Sequence, residues 1–340
     1  MEQYLNLRKE RLASMDMLKG FAIFMVIAGH TIQYLISGDY CDKSAYRIIY
    51  SFHMPLFMAI SGFFSYRNSI GGGKTPVYQQ IARRAWALLI PVVVFAFIMR
   101  YILMESSRFL NPLIHSLWFL KSAFSCFALY SLATAFPVRN RIIPLMLTLL
   151  ISQIFSIYNI RLMYPCFLAG AFLKSRITIV LQHIGTLTII SGAIWLAMVS
   201  FFDASFWKFR TQDIFVFVPI HLLLSADWWY VMVYRLTVGL SGSLMFFGIF
   251  EMLSSRKFHT TLIGKYINAI GQETLWIYVL QTIILETYLP RYINFDSAST
   301  ILFYSIIVPI ISIGVLTVCI AIIRALKWSI DEIRQRYQIA

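Results

Sequence analysis

The sequence predicts an all-α, polytopic integral membrane protein with about ten transmembrane helices and both termini in the cytoplasm. Of its 340 residues, 59% are hydrophobic and only 13% are charged, and the mean hydropathy is +0.72. A water-soluble protein cannot cover its surface with so few charges. The apolar residues form long runs, and the basic residues lie mostly in the short segments between them. We therefore expect one integral-membrane domain over residues 1–340.

Ten apolar runs account for the predicted helices. They lie near residues 15–36, 45–66, 83–104, 113–136, 141–158, 161–174, 178–202, 228–253, 267–289 and 299–324. A helix needs about 20 residues to cross the hydrocarbon core, and most of the runs are near that length. The fifth and sixth runs are separated by a short turn and could be merged or shifted. The first run is expected to be retained, because it lacks a convincing signal-peptide cleavage site.

The basic residues are distributed as in multi-pass membrane proteins. With the N-terminus in the cytoplasm and with charges near the ends of runs counted in the adjoining segments, 18 of the 29 Lys and Arg residues are cytoplasmic, seven are external and four lie within spans. Cytoplasmic loops carry such an excess, so both termini are predicted to be cytoplasmic. The same distribution argues against nucleic acid as the reason for the net charge of +14, and membrane lipid is the expected partner. The sequence identifies no protein partner.

The cysteines predict neither a disulfide framework nor a metal site. Four are present, at positions 41, 126, 166 and 319, and they form no CxxC pair. Three of them lie in apolar runs. Disulfide frameworks and zinc sites have closely spaced or regularly spaced cysteines, which this chain lacks.

A long external segment, about residues 203–227, separates the seventh and eighth runs. It contains an eleven-residue apolar stretch, Ile214–Leu224, interrupted by Pro219 and His221. That stretch is too short to span a bilayer, so it is predicted to be interfacial or re-entrant. The aromatic residues of the segment fit a position at the membrane interface.

A cation and a histidine lie in the first apolar run. Lys19 stands near its cytoplasmic end, and His30 follows eleven residues later. At about 1.5 Å per residue the two are roughly 16 Å apart along a helix, about half of the hydrocarbon thickness. Ionisable groups are costly inside a bilayer, so this pair is a candidate functional site.

A second histidine, His53, lies a few residues inside the outer end of the second run. Because adjacent spans run antiparallel, His53 and His30 are expected at similar depths. Pro55 would kink the helix beside His53 and release a backbone carbonyl, as happens where helices line cavities. The alternative is that each histidine caps a carbonyl and only packs the bundle.

Three further cations, Arg100, Lys121 and Arg235, are predicted inside spans. They could hold an anionic or hydroxyl-rich ligand, or they could pair with Glu105 and Glu286. Long cationic side chains near helix ends also extend to the interface, which suits Arg235 better than the deeper Lys121.

At the cytoplasmic face, Lys19, Arg83 and Arg84 form a predicted basic rim. Arginine binds phosphate through two parallel hydrogen bonds, so the rim is a candidate phosphate site. The alternative is that these charges only direct membrane topology.

Several motifs are spread over nearly the whole chain. They are Arg11-x4-Asp16-x2-Lys19-Gly20-x9-His30, then Phe52–Phe57, Ser61–Phe63 and Leu117–Leu120, then Phe167–Gly170 and Ile270–Tyr278. Together and in this order they resemble the acyltransferase-3 family, most closely its branch that O-acetylates sugars.

The resemblance implies about ten helices and a cytosolic acyl-coenzyme A donor, commonly acetyl-coenzyme A. The acyl group would pass to a hydroxyl of a cell-envelope glycan or of its lipid-linked precursor. Lys19 and His30 match the family's essential basic residue and histidine, and Arg83 and Arg84 match the basic pair that opens the third helix. The family often has arginine where Lys19 stands, and many members have histidine where this chain has Gln281.

The first hypothesis is therefore an O-acyltransferase of the inner (plasma) membrane that needs no metal. His30 is the candidate base or acyl carrier, and His53 would orient it or the acceptor. Lys19, Arg83 and Arg84 would bind the donor. The candidate contacts of the glycan are Arg100, Trp118, Lys121 and Arg235. The external segment 203–227 would form a lid over the entrance of the acceptor.

Two other classes of function are compatible with an apolar chain of this kind. In a proton-coupled transporter or flippase, His30 and the buried cations would relay protons or bind an anionic or glycan substrate. The sequence shows no repeat between its halves, which many transporters have. A structural or sensory membrane protein is the third possibility.

Overall fold

The computed structural model describes residues 2–36, 44–66, 76–105, 108–135, 142–156, 158–201, 216–217, 225–295 and 306–338. Most of these residues are helical, so the predicted all-α class is confirmed. The α-helices are α1 (Glu2–Leu35), α2 (Ser44–Ser65), α3 (Val77–Phe97), α4 (Leu110–His115), α5 (Trp118–Ala135), α6 (Ile142–Ile154), α7 (Ile160–Ser175), α8 (Ile177–Gln182), α9 (Ile184–Ser200), α10 (Ala226–Ser255), α11 (Leu262–Gln272), α12 (Thr274–Thr282) and α13 (Val308–Gln338).

Shorter elements extend two of these helices or pair across the chain. A π-helix, Ile98–Ile102, follows α3, and a second, Ile283–Tyr288, follows α12. Two 3-10 turns lie at Phe258–Thr260 and Leu289–Arg291. Two-residue strands, β1 (Phe155–Ser156) and β2 (Val216–Phe217), pair antiparallel.

Five stretches of the described helices are long and apolar enough to cross a membrane. They are Ala13–Leu35, Ser44–Ser65, Val77–Ile102, Ala226–Ser255 and Val308–Ser329. The shorter helices Ile142–Ile154 and Ile184–Ser200 are also apolar. These helices confirm a membrane protein. The number of ten spans and the cytoplasmic position of both termini stay predictions.

Several of the predicted runs are divided in the structure. The run 113–136 is interrupted between α4 and α5, where Leu117 has a φ of 49°. A right-handed helix requires a negative φ, so the chain cannot continue straight through this residue. The run 178–202 comprises α8 and α9, and the run 267–289 includes the break at Glu273 between α11 and α12. Hydropathy does not detect such breaks, because the residues on both sides remain apolar.

Contacts divide the chain into two compact units. The first unit comprises Met1–Tyr50 and Phe250–Ala340, and the second comprises Ser51–Ile249. Helices α2 and α10 each contribute residues to both units. The prediction of a single domain over residues 1–340 stays a prediction.

In the first unit, α1 packs against α11 and α13. The contact with α11 is close because each helix places a glycine against the backbone of the other. A β-carbon on Gly20 would lie 2.2 Å from the Ile267 carbonyl oxygen, and one on Gly271 would lie 1.7 Å from that of Asp16. Small residues allow helix backbones to approach in this way. The reciprocal pair thus fixes the register of α1 beside α11, and α12 follows α11 directly.

The second unit contains a similar reciprocal contact between α2 and α7. A β-carbon on Gly62 would lie 1.8 Å from the Phe167 carbonyl oxygen, and one on Gly170 would lie 1.8 Å from that of Ala59. Elsewhere in this unit α5 packs against α3, α6 and α7. The Ser61–Phe63 and Phe167–Gly170 motifs therefore have a packing role.

The external segment 203–227, with its proposed lid, lies mostly outside the described residues. Of this segment the structure describes 216–217 and 225–227. Phe217 is paired with Phe155 in the short antiparallel ladder. The interfacial position of Ile214–Leu224 stays a prediction.

Candidate active site

His30 lies in the first unit, within the apolar part of α1. Its side chain is 16% exposed, so most of the ring is enclosed by protein. Its Nδ1 lies 2.9 Å from Oε1 of Gln281, within hydrogen-bonding distance. The partner is a side chain of α12 rather than a backbone carbonyl, so the structure does not support the alternative in which His30 caps a carbonyl.

Gln281 is itself held by hydrogen bonds on the side away from His30. It has no exposed surface. Its Nε2 donates to the Tyr278 carbonyl oxygen at 3.2 Å and to Oγ1 of Thr282 at 2.9 Å. The Thr282 hydroxyl donates in turn to the Tyr278 carbonyl at 2.9 Å. These contacts fix the amide and therefore the atom that it presents to His30.

A carboxylate also faces the imidazole. Oε1 of Glu286 lies 3.9 Å from Nδ1 of His30. Tyr34, one helical turn after His30, makes an edge-on ring contact with it at 5.5 Å between centroids and hydrogen-bonds to Glu286. The sequence predicts Glu286 only as a partner for buried cations, and Tyr34 is not among the predicted site residues. The i, i+4 spacing of His30 and Tyr34 could have indicated that they share a face of α1.

Lys19 occupies the start of the apolar part of α1, eleven residues before His30. It forms an ion pair with Asp16, one helical turn earlier, at 2.5 Å. The two side chains are 23% and 19% exposed, so the pair is partly accessible. The charge of Lys19 is thus held close to the helix, and its donor-binding role stays a prediction.

In the second unit, the structure brings Arg83 and Arg84 together around a cavity. The cavity has a volume of about 280 Å³. It is lined by Phe64, Ser65, Gln80, Arg83, Arg84, Ala87 and Phe127. The Arg84 guanidinium carbon lies 5.4 Å from the centroid of the Phe127 ring. Within the described part of the chain, the Nε atom of Arg84 is buried without a hydrogen-bond partner. Because the cavity is lined by two arginines, it can accept a group that supplies hydrogen-bond acceptors.

Three other predicted site residues lie at separate positions in the second unit. His53 is on α2 and is 2% exposed. Arg100 is in the π-helix after α3, with its guanidinium carbon 5.3 Å from the Tyr101 ring centroid. Trp118 begins α5 and contacts Phe119 edge-on. Their predicted roles toward the histidine or the glycan stay predictions.

Lys121 has a clear structural role. Its ammonium donates to the carbonyl oxygens of Leu113 at 2.9 Å and Ile114 at 2.6 Å. It also lies 4.4 Å from the Tyr158 ring centroid. Lysine commonly satisfies the last carbonyls of a helix in this way, here those of α4. The predicted contact of Lys121 with the glycan would have to compete with these bonds.

The second unit also buries two arginines. Arg235, a predicted glycan contact, is on α10 and is 9% exposed. Arg161 is one of the seven cations that the charge distribution assigns to external segments, but it is 8% exposed and its guanidinium carbon lies 4.7 Å from the Trp228 ring centroid. Burial against an aromatic ring distinguishes Arg161 from a purely topogenic charge.

The described cysteines are buried thiols. They are Cys126, Cys166 and Cys319, and none is in a disulfide. No group of three or more His, Cys, Asp and Glu residues in the described ranges is arranged to hold a metal ion. The expectation that the protein needs no metal stays a prediction.

Comparison with known proteins connects the chain to one family. The sequence model of the acyltransferase-3 family, an acyltransferase domain, matches residues 12–324. Nodulation protein NolL of Mesorhizobium japonicum is 33% identical over 137 residues, which are 36% of this chain and 36% of that protein. Nodulation protein NolL of Sinorhizobium fredii is 27% identical over 178 residues, 46% of each chain. The chain thus aligns with less than half the length of these relatives.

No solved structure matches the chain. The family match, however, begins before Lys19 and ends after the whole of α12, so it includes His30 and its partner Gln281. It also covers every motif on which the predicted resemblance rested, apart from Arg11. The chain therefore belongs to the acyltransferase-3 family.

Proposed function

We propose that the protein is an O-acyltransferase of the inner (plasma) membrane. It would transfer an acyl group, in the expected case acetyl, from acyl-coenzyme A to a hydroxyl of a cell-envelope glycan or of its lipid-linked precursor. Membership of the acyltransferase-3 family supports the class of reaction. The observation that carries the proposal is the imidazole of His30, held by Gln281 and facing Glu286 within an apolar helix.

His30 would supply the base that a sugar hydroxyl needs in order to react. A hydroxyl is a weak nucleophile at neutral pH because it keeps its proton. In the direct route, the imidazole accepts that proton while the hydroxyl oxygen attacks the thioester carbonyl carbon. The carbon–oxygen bond forms, the carbon–sulfur bond breaks, and the leaving thiolate of coenzyme A takes the proton back from the imidazolium.

A covalent route through His30 is equally compatible with the proposal. A ring nitrogen would attack the thioester carbonyl carbon first, so that a carbon–nitrogen bond forms and the carbon–sulfur bond breaks with release of the thiolate of coenzyme A. The hydroxyl oxygen would then attack the acyl carbon, the carbon–nitrogen bond would break, and the hydroxyl proton would neutralise the released thiolate. In both routes His30 must be neutral at the start. Positive charge develops on the ring in both, and Glu286 at 3.9 Å from Nδ1 would stabilise it.

The donor requires a site for phosphate, because coenzyme A carries several phosphate charges. The cavity at Arg83 and Arg84 is the proposed site, since guanidinium groups that line a cavity could donate to phosphate oxygens. Lys19, partly exposed beside Asp16, is the other proposed contact.

For the acceptor, the proposed contacts are Arg100, Trp118 and Arg235. A sugar needs hydrogen-bond donors and an aromatic face, and these side chains supply both. Lys121 is the weaker candidate, because its ammonium already bonds to two carbonyls. His53 stays a candidate for orienting the acceptor.

The full-length protein in liposomes tests this proposal. Acetyl-coenzyme A with a radiolabelled acetyl group would be added together with a membrane glycolipid extract from cells that produce the protein. We expect release of free coenzyme A thiol and an equal amount of label in the glycolipid fraction. Protein-free liposomes serve as the control and should show neither.

Two results would contradict the proposal. One is the absence of thiol release and of labelled glycolipid in the presence of folded protein. The other is movement of the glycolipid across the liposome membrane that depends on a pH gradient and leaves acetyl-coenzyme A intact. That second result would favour the transporter or flippase.

A further inference from the structure

We infer that Gln281 is a positioning residue that holds His30 in the tautomer with its proton on Nδ1, so that Nε2 is the nitrogen that reacts. The inference rests on the proposed function of His30 and adds the reacting atom and the residue that selects it. It follows from the hydrogen bonds that connect the Tyr278 carbonyl and the Thr282 hydroxyl to the Gln281 amide, and the amide to His30.

The first step is the orientation of the Gln281 amide. The Tyr278 carbonyl oxygen can only accept, and it receives the hydroxyl proton of Thr282 at 2.9 Å. Because the hydroxyl proton of Thr282 is already donated to the Tyr278 carbonyl, Oγ1 of Thr282 can only accept a hydrogen bond from Gln281, at 2.9 Å. Both neighbours on this side are therefore acceptors, so the amide nitrogen must face them. The amide oxygen, Oε1, must consequently face His30.

The oxygen that Gln281 presents determines which ring nitrogen of His30 carries the proton. An amide oxygen carries no proton, so a hydrogen bond of 2.9 Å to it requires a proton on Nδ1. A neutral imidazole has one ring proton, so Nε2 then carries the lone pair. This is the nitrogen that can accept a hydroxyl proton or attack a thioester.

Glu286 reinforces the same tautomer. Its Oε1 is the second oxygen near Nδ1, at 3.9 Å, and Tyr34 hydrogen-bonds to that carboxylate. At this distance the oxygen does not accept a hydrogen bond from Nδ1–H, but its negative partial charge attracts that proton and repels a bare Nδ1 lone pair. Glu286 and Tyr34 are the titratable side chains that face His30 in the described part of the first unit. When Nε2 gains a proton, the resulting charge lies beside Glu286.

Glutamine suits this role because it does not titrate. A carboxylate in its place would add a charge, and a histidine in its place could present either a donor or an acceptor. The buried amide of Gln281 presents the same oxygen at every pH. Selection of the tautomer is thus independent of the conditions under which the enzyme works.

Nitrogen NMR of the full-length protein in liposomes measures the tautomer directly. Selective labelling of histidine with nitrogen-15 gives signals from six residues, and the spectrum of His30→Ala identifies those of His30 by difference. We expect a protonated Nδ1 and an unprotonated Nε2 in the wild-type protein. A protonated Nε2 with an unprotonated Nδ1 would overturn the inference, whatever the activity of the protein.

Variants at position 281 test whether Gln281 is the residue that selects the tautomer of His30. Gln281→Leu removes the acceptor, so we expect the Nδ1-protonated form to fall to a mixture of tautomers. Gln281→Glu keeps an oxygen at the same place, so Nδ1 should stay protonated. Gln33→Leu is the matched control, since Gln33 lies on α1, the helix of His30, but accepts from the Tyr50 hydroxyl at 2.5 Å. An unchanged His30 spectrum in Gln281→Leu would overturn the role of Gln281.

The acetyl-transfer assay separates this inference from the proposed function. Gln281→Leu should lower kcat by about tenfold or more while leaving the KM for acetyl-coenzyme A unchanged, because Gln281 is proposed to act through His30 and not on the donor. Gln33→Leu should leave both parameters unchanged. If the wild-type protein transfers no acetyl group, the proposed function fails, and the NMR result still decides the tautomer.

Discussion

At the residue scale, the chemical capacity of the site comes from the groups around one imidazole. His30 is 16% exposed, and Gln281 and Glu286 both present oxygen atoms to its Nδ1. In a place poor in water, such charge and dipole interactions are stronger than in bulk solvent. Tyr34 in turn supports Glu286.

The charge of Lys19 gives the first residue-scale prediction. Lys19→Ala should lower the rate of acetyl transfer by at least about tenfold, because a charge-assisted contact to donor phosphate is lost. Lys19→Arg keeps the charge and should retain most of the activity. Steady-state kinetics with acetyl-coenzyme A measure both effects.

The matched control for Lys19 is Lys327→Ala. Lys327 forms an ion pair with Glu273 and its side chain is 57% exposed, so its loss should have little effect. Wild-type kinetics in Lys19→Ala would show that Lys19 serves topology only.

The arginine cavity gives a second prediction. The double variant Arg83→Ala with Arg84→Ala should bind coenzyme A at least about tenfold more weakly, because the cavity loses its charged hydrogen-bond donors. The difference should be largest at low ionic strength, since salt screens exposed charges. Calorimetric titration with coenzyme A at two salt concentrations measures the effect.

Arg176→Ala is the control for the cavity, because Arg176 is an exposed arginine of the same unit outside the cavity lining. It should bind coenzyme A as the wild type does. An unchanged affinity of the double variant at low ionic strength would refute the donor site.

Single residues of this site were more predictable than their pairings. An ionisable residue inside an apolar run is conspicuous, so His30 and Lys19 could be chosen from the sequence. Gln281 lies 251 positions after His30, and no local pattern connects residues so far apart. The same limitation applies to Lys121, whose depth indicated a ligand contact although its partners are the carbonyls of α4.

At the scale of helices, the positions of the site residues depend on close contacts made by glycine. Gly20 and Gly271 join α1 to α11 in the first unit, and Gly62 and Gly170 join α2 to α7 in the second. In each pair both glycines face a backbone carbonyl of the other helix. A side chain at any of these positions would push the two backbones apart.

Gly62→Ala tests this packing. A methyl group there would lie 1.8 Å from the Phe167 carbonyl oxygen, so the helices must separate. Overpacking of this kind costs about 1–3 kcal/mol, and the melting temperature should fall. A thiol-reactive dye can follow unfolding, because Cys126 and Cys166 are buried free thiols of the same unit.

Gly185→Ala is the matched control, since no atom lies within 4 Å of a β-carbon at that position. It lies in α9, where alanine favours the helix more than glycine does, so the melting temperature should hold or rise. Equal melting temperatures in the two variants would contradict the packing role of Gly62.

The helices themselves were predictable from the sequence, and their interruptions were not. Long apolar runs identify α1, α2 and α3 because burial in lipid requires about 20 apolar residues. The break at Leu117 leaves the apolar pattern intact, so hydropathy joins α4 to α5. The glycines of the motifs can be read from the sequence, but their packing role depends on which helix faces them.

At the scale of the whole molecule, the charge distribution predicts the orientation in the membrane. With ten spans, the C-terminus should lie in the cytoplasm and the segment 203–227 outside. Reporter fusions placed after residue 340 and within 203–227 should therefore give signals from opposite sides. Signals from the same side would contradict the predicted topology.

His30 performs the chemistry in the proposed acyl transfer, so the kinetics of His30→Ala are the decisive measurement. The rate of acetyl transfer should fall by about 10²–10⁴-fold, the usual contribution of a general base, and further if His30 carries the acyl group. The affinity for coenzyme A and the melting temperature should stay at wild-type values. His183→Ala, which changes an exposed histidine between α8 and α9, should leave all three quantities unchanged. A His30→Ala protein that transfers acetyl within a few-fold of the wild-type rate would contradict the account.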